Sequence, residues 1–519
     1  MIAGTVAAIR QRVSDRRERP FVLALVALTV LSAYSRATGL SHGALFRDDA
    51  WVALTRRVPL HVAWHMVGTA PGFVLFERFW VGLSAPSTWW AQIPTFVVAT
   101  LTIPLLALAA RWFGLKAPAA LLASTLLAIS RIDLQYATHL KPYASDVLVA
   151  LGVLVTGEMY RRGRSAWPFA ITSLAATALS FTVAPLVIGV AAVVAFTSWR
   201  TQRTRTLLAP MAVLILPLIA LYLAVRSGIS PRLRQSWAPN FVQYSSLRAV
   251  GHSVWSITSG LVAGFSDTTP HWHIPGLSKL ILAYLIIAAL YGAWRARGAL
   301  SAPWSAAVVV ALLFSAMHIA PLGTGRTDAY LYAALALLVA YGTEGAAYWL
   351  AEKQLLLSRV AVGALIGFAL FGLIDRTDYP ARYPGGSFTA VANAARAELS
   401  QPTGSVLIEG TARWPWTYYD PAPVRLTFSP RYNTGFAPLS SDPRVVVMAG
   451  TVIEGCYSAK GAVSKLANAT TTVYVRSDDW PSLGDPVANA LRAHCWHVTK
   501  RSHPAGYLLE WLRHDCATP

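Results

Sequence analysis

Apolar runs of roughly twenty residues recur along this chain, and no other feature restricts its fold as much. FVLALVALTVLSAYSRATGL, at 21–40, is the first of them. A bilayer's hydrocarbon core is about 30 Å thick, a distance that ~20 helical residues cross at ~1.5 Å each. Inside it every backbone N–H and C=O has to be bonded within the protein, so repeated runs of this length dictate spanning helices. Composition agrees: 55% of the 519 residues are hydrophobic and 13% charged, where soluble domains carry about 25%. The expected fold is a polytopic α-helical membrane protein.

The net charge of +20 would suit nucleic acid, but its placement argues for no nucleic acid partner. Much of it lies in short clusters between apolar runs: RQRVSDRRER near the N-terminus, RRGR at 161–164, WRTQRTR at 199–205 and RAR at 295–297. This is the pattern of cytoplasmic loops. With those clusters inside, about 11 spans follow, at 21–39, 88–110, 117–130, 143–160, 166–181, 183–199, 207–225, 277–294, 302–319, 329–349 and 358–374. The N-terminus is then cytoplasmic, and loops 40–87, 131–142, 226–276 and 320–328 face outward. The first run follows basic residues without a small-residue cleavage site after it, so it reads as a retained anchor. GFVLFERFWVGL (72–83) contains Glu77 and Arg78 and is short for a span. It is expected as an amphipathic helix on the outer surface.

Beyond about Asp375 the pattern changes. SVLIEG, PRVVVMAG, TTVYVR and GYLLEWL alternate with turn-rich segments and with the helical stretch FTAVANAARAELS. The division expected is a transmembrane region over 1–379 and an extracytoplasmic α/β domain over 380–519. All three cysteines, Cys456, Cys495 and Cys516, fall in that last part. One disulfide with one thiol left over is compatible with an oxidising compartment, and the pairing stays open.

Charges on the outward side are the exceptions to the charge rule, and three stretches stand out. FRDDAWVA follows the first run; SRIDLQYATHLKPYASD (130–146) lies between the third and fourth; APLGTGRTDAYLY (320–332) precedes a late one. Each supplies carboxylates, cations or aromatics at a helix end, where an ionisable group near the bilayer is costly and its retention suggests function. A carboxylate beside arginine stays ionised at neutral pH, as a general base should. A lysine or arginine flanked by small or rigid residues suits an anionic phosphate.

At these residues the chain resembles the GT-C superfamily of membrane glycosyltransferases, especially the branch of protein O-mannosyltransferases and the aminoarabinose transferase. FRDDAWVA resembles the family's acid pair in the first large outer loop. KPYASD echoes its second-loop stretch and GTGRTDAYLY its late Gly-Gly-Arg stretch. SVLIEGTARWPWTYY resembles the first strand and helix of the extracytoplasmic domain of some relatives. TAPGFVLFERFW departs from the family: the expected cation or histidine is missing and only Pro71 remains.

The resemblance implies a polyprenyl-phosphate sugar donor, an envelope glycan, lipid or protein acceptor, and displacement with inversion. Asp48 is the expected base, since acceptor attack requires removal of a proton as the new bond forms. Asp49 is expected to orient the acceptor. No metal ligand set is identified, and a divalent cation near Asp48 and Asp49 is the one cofactor left open. Lys141 and Arg326 are expected on the phosphate, where cations stabilise growing charge, with Arg131, Arg78 and Tyr143 as weaker candidates. Arg47, Trp51, Tyr136, Trp237, Trp272 and His318 are expected at the sugar or acceptor, although aromatics of this kind also serve as interfacial anchors. Asp267, His271 and His273 form a loose group without standard metal spacing. The Ala- and Arg-rich usage suits a high-GC source in which mannose or arabinose travels on decaprenyl phosphate. The rival expectation is a transporter or flippase for a lipid-linked or anionic envelope precursor; no internal repeat supports it.

Overall fold

In the computed structural model the described residues are 18–40, 45, 47–64, 70–201, 204–226, 237–266, 277–296, 300–324, 326–353, 367, 388–409, 412–419, 424–428, 436–440, 442–448, 458–477, 484–504 and 507–516. The chain divides into two compact units, one of Met1–Thr38 with Ile93–Pro380, the other of Gly39–Gln92 with Ala381–Pro519.

The first unit is helical. Among the described residues six helical segments are long and apolar enough to cross a bilayer: Arg19–Ala37, Thr88–Trp112, Tyr143–Arg161, Phe181–Arg200, Lys279–Ala296 and Ala329–Glu352. The expected count of about 11 spans is not confirmed by them. Helices do occupy other expected positions, at Ala117–Ala128, Trp167–Leu179 and Ser301–Ala316, but they hold 12, 13 and 16 residues. At ~1.5 Å per residue these reach ~18–24 Å, short of a ~30 Å core. The helix Thr204–Arg226 holds 23 residues and covers the expected span at 207–225, and the expected span at 358–374 lies outside the described residues.

These helices associate through small residues and a few interhelical hydrogen bonds, as the lipid-facing environment requires. Leu277–Ala296 packs on Tyr332–Lys353 so closely that a Cβ at Gly292 would lie 1.8 Å from the Leu338 carbonyl oxygen. One at Gly342 would lie 1.9 Å from that of Ala288. Tyr160 shares a hydrogen bond with Ser198 at 2.8 Å, and Ser124 donates to the Ile103 carbonyl at 2.9 Å.

The second unit joins the expected first outer loop to the C-terminal region. Its five-stranded sheet has the order β4-β1-β5-β7-β6, with β1 (Gly404–Glu409), β4 (Val445–Met448), β5 (Thr471–Ser477), β6 (Trp496–Ser502) and β7 (Tyr507–His514). β1 runs parallel to β4 and β5, placing Val406 opposite both Val445 and Val473. β7 is antiparallel to β5 and β6. A separate antiparallel pair joins β2 (Val424–Phe428) to β3 (Phe436–Ser440).

Side chains alternate across a strand, so β1 sends Val406 and Ile408 to one core and Leu407 to the other. The helix Phe388–Leu399 covers the first face, with Val391 and Ala395. Ala459–Lys465 and Gly484–Ala493 cover the second, with Val463 and Leu491. A central strand buried on both faces reads as the continuous apolar run VLI. Cys495 and Cys516 form a disulfide at the β6–β7 end, with Cα atoms 5.1 Å apart; Cys456 lies outside the described residues.

Candidate active site

In the second unit the acid pair opens a helix. Arg47–Ala53 begins at the aspartates and continues into the 3₁₀ turn Leu54–Arg57, and acids in a first turn suit the helix dipole. Asp48 is half-buried, Asp49 is 1% exposed, and Trp51 is buried. The side chain of Arg47 lies outside the described residues. Two other helices pack on this one: Pro71–Gly82, the expected surface helix, and Arg413–Tyr419.

Arginines tie these pieces together through carbonyls left over at the ends of short helices, which have no intrahelical partner. Arg78 donates to the Thr55 and Val58 carbonyls. Arg56 donates to those of Val81 (3.2 Å) and Ser84 (3.1 Å), and Arg57 to that of Thr417 (3.1 Å). The geometry thus sets Arg78, an expected phosphate ligand, to holding the turn after the acid helix. Trp80 and Trp90 stack at 4.3 Å, each indole N–H donating to the other's carbonyl. The Tyr419 hydroxyl accepts from the Leu45 N–H at 3.0 Å and bonds Thr88. Burial pushes the Tyr418 phenol up to about 12 and raises that of Tyr419 as well, so both remain neutral donors.

In the first unit Ser130 caps the helix Arg131–Tyr136 by accepting from the Asp133 N–H at 3.3 Å. Asp133 is bonded to Arg36, a fully buried guanidinium near the end of the first spanning helix. Arg36 also donates to the Ser32 and Ala128 carbonyls, at 3.0 and 3.3 Å. Arg131 is exposed, whereas Lys141 is buried, two residues after a ring contact of His139 with Tyr136 at 5.6 Å. Tyr136 and Tyr143 meet edge to face at 4.7 Å.

Asp146, in the first turn of Tyr143–Arg161, accepts from the Thr182 hydroxyl at 2.5 Å. The second and third stretches come together here. The turn Ala329–Leu331 packs on that helix, and buried Tyr330 lies in the fields of both Asp328 and Asp146. Upstream, the Thr324 hydroxyl accepts from the Thr327 N–H (2.9 Å) and the Arg326 N–H (3.2 Å). The Arg326 guanidinium sits over the Trp237 ring, 4.5 Å from its centroid.

Two bonds pin the Trp237 segment to this region: Leu322 N–H to the Asn240 carbonyl (2.9 Å) and Val242 N–H to the Ser315 hydroxyl (3.0 Å). His318, exposed and at φ 54, contacts Phe241 edge-on at 4.8 Å. The structure therefore brings Arg326, Trp237 and the His318 turn together. Tyr136, His139 and Tyr143 form a second group in the same unit, and the Lys141 N–H bonds the His139 carbonyl at 2.8 Å. Trp272 lies outside the described residues, as do Asp267, His271 and His273. Among the described residues no group of three or more His, Cys, Asp or Glu is placed to hold a metal ion.

Sequence reasoning did not single out Arg36, Tyr330, Tyr418 or Tyr419. Arg36 had a signal, an ionisable residue near the end of an apolar run. The tyrosines had none, because aromatics at helix ends are common in membrane proteins.

No family model matches the sequence, and no curated relative does. Solved structures do. ArnT from Cupriavidus metallidurans in the apo state superposes with a TM-score of 0.56 at 14% identity, covering 95% of this chain and 98% of that one. The same enzyme bound to undecaprenyl phosphate gives 0.54 at 14% identity, covering 96% and 98%. An oligosaccharyltransferase from Archaeoglobus fulgidus in the apo form gives 0.43 at 14% identity, covering 81% and 61%. The likeness to ArnT is one of fold.

Proposed function

We propose, from the GT-C fold this chain shares with ArnT, that it is a membrane glycosyltransferase moving a sugar from a polyprenyl-phosphate donor to an extracytoplasmic acceptor. The observation that carries the reading is the setting of Asp48. It is half-buried in the first turn of a short helix that two other helices and three arginine–carbonyl ties hold in place. A general base works when its carboxylate keeps one position relative to the proton it removes.

Asp48 accepts the proton of the acceptor hydroxyl as its oxygen attacks the anomeric carbon. The bond to the phosphate oxygen breaks, and polyprenyl phosphate leaves as an anion that needs no general acid. Asp49 and Trp51 shape the acceptor side. Lys141 and Arg326 stabilise the charge on the leaving phosphate, with Arg131 and Tyr143 contributing from the second stretch. Tyr136, Trp237 and His318 offer ring faces and hydrogen bonds to the sugar. Attack opposite the departing phosphate inverts the anomeric centre.

The test is incubation of the purified full chain with a panel of polyprenyl-phosphate sugars and envelope acceptors, reading release of polyprenyl phosphate. Release that disappears in Asp48→Asn supports the assignment; no release from any donor refutes it.

A further inference from the structure

The helix Pro71–Gly82 is amphipathic the wrong way round for one residue. Glu77 is 0% exposed and shares its buried face with Phe73, Val74 and Val81, while Phe76 and Phe79 are turned out. A surface helix ordinarily buries its apolar residues and exposes its charges. Neither carboxyl oxygen of Glu77 has a hydrogen-bond partner among the described residues.

Among the described residues no cation close to it in the chain or in the packing hydrogen-bonds it. Arg78 bonds the Thr55 and Val58 carbonyls, Arg56 those of Val81 and Ser84, and Arg57 that of Thr417. His61, on the neighbouring helix Leu60–Trp64, is exposed. What Glu77 meets instead is negative or neutral. Asp49 adds its charge from the acid helix, with Asp48 in the same turn, and the Tyr418 phenol lies in its field from Arg413–Tyr419. A carboxylate without a cation, buried beside a second carboxylate, is driven to its neutral form. Burial first, then the Asp49 charge, push Glu77 up to about 8.

We propose that Glu77 is a positioning residue of this site, held as a neutral carboxylic acid beside Asp49, so that Asp49 faces no second carboxylate charge across the interface under the acid helix. The inference rests on the reading of Asp48 as the base. The helices Arg47–Ala53 and Pro71–Gly82 share the interface that Asp49 and Glu77 enter from opposite sides. Ionising Glu77 places two like charges there, which shifts the acid helix and with it Asp48. Activity then belongs to the form with Glu77 protonated.

The linkage has a definite sign. In the fold Glu77 keeps its proton until about 8, whereas the unfolded chain releases it in the ordinary carboxyl range. The folded state therefore loses stability as pH rises through that interval and loses no more above it.

The experiment uses the full chain in detergent, comparing the parent with Glu77→Gln, a neutral isostere, and Glu77→Asp, which retains a titrating group. The melting temperature of Glu77→Gln should exceed the parent's by a margin that is small at pH 5 and grows toward pH 8. An infrared difference spectrum between the two at pH 7 should contain a protonated-carboxyl band. In the transfer assay the parent's kcat/KM should fall about tenfold between pH 7 and pH 9, the change expected for a group titrating near 8. Glu77→Gln should lose that fall and Glu77→Asp should restore it.

A melting margin independent of pH, or absence of the infrared band, overturns the inference whatever the assay gives. Loss of transfer in Glu77→Gln at every pH also overturns it, since that result demands an ionised Glu77. The melting and infrared measurements need no donor. If they behave as expected while the parent transfers nothing from any donor, the glycosyltransferase reading is refuted instead.

Discussion

The two units treat buried charge in opposite ways. In the helical unit Asp133 is bonded to Arg36, both fully buried, and the guanidinium also finds two carbonyls. Asp146 accepts from the Thr182 hydroxyl. In the second unit Glu77 is as deeply buried, yet Arg56, Arg57 and Arg78 donate to backbone carbonyls. The arginines there build the scaffold, and neither carboxyl oxygen of Glu77 has a hydrogen-bond partner among the described residues. Partnered buried charge serves architecture, since its desolvation is offset by the pair. Uncompensated buried charge shifts the protonation of the groups that carry it, which is how sites of chemistry are made.

The largest expected effect falls in the second unit. Asp48→Asn should lower glycosyl transfer by ~10²–10⁴-fold, the usual contribution of a general base, while expression, melting temperature and donor binding stay as in the parent. A parallel loss of stability would place Asp48 with the architectural charges and break the contrast. On the compensated side, Asp133→Asn leaves the Arg36 guanidinium buried and should destabilise the helical unit by about 3–5 kcal/mol. Thermal unfolding in detergent reads this, and Arg36→Met combined with Asp133→Leu should recover much of it.

Between these lie Lys141→Ala and Arg326→Ala. Removing a cation from a leaving phosphate should cost ~10²–10³-fold in kcat, and Arg326→Ala also frees the Trp237 ring. Unchanged kcat with raised donor KM would assign these cations to binding rather than to the transition state. The smallest effect concerns the disulfide. Cys495→Ser opens a bridge spanning 21 residues and should cost about 3 kcal/mol of stability, with transfer at pH 7 unchanged while the protein is folded. Melting with and without reductant measures it.

Much of the second unit's sheet was legible. SVLIEG, PRVVVMAG, TTVYVR and GYLLEWL all contain strands, and FTAVANAARAELS contains a helix. WHVTKRS was not recognised, because β6 is nearly exposed along its length and shows no apolar alternation. The pairing of Cys495 with Cys516 was open for a similar reason: it depends on β6 and β7 lying antiparallel, a register no spacing reveals. Span positions were legible from hydropathy where the residues are described, and the count of about 11 is not confirmed. Hydropathy locates an apolar helix without deciding whether 12 or 13 residues are capped or continued.

By itself, the sequence determined that this chain lives in a membrane, where its helices begin, and that an acid pair opens one of them. Those properties follow from local pattern: apolar length, turn residues, and carboxylates at a helix start. Only the tertiary structure decided which charges are partnered. Glu77 and Arg78 are adjacent in the chain, yet one side chain enters an apolar interface beside Asp49 and the other reaches two carbonyls of the 3₁₀ turn. Side chains at adjacent helical positions diverge by about 100°, so their environments are set by what packs on each side. That information lies in segments hundreds of residues away, such as Arg413–Tyr419.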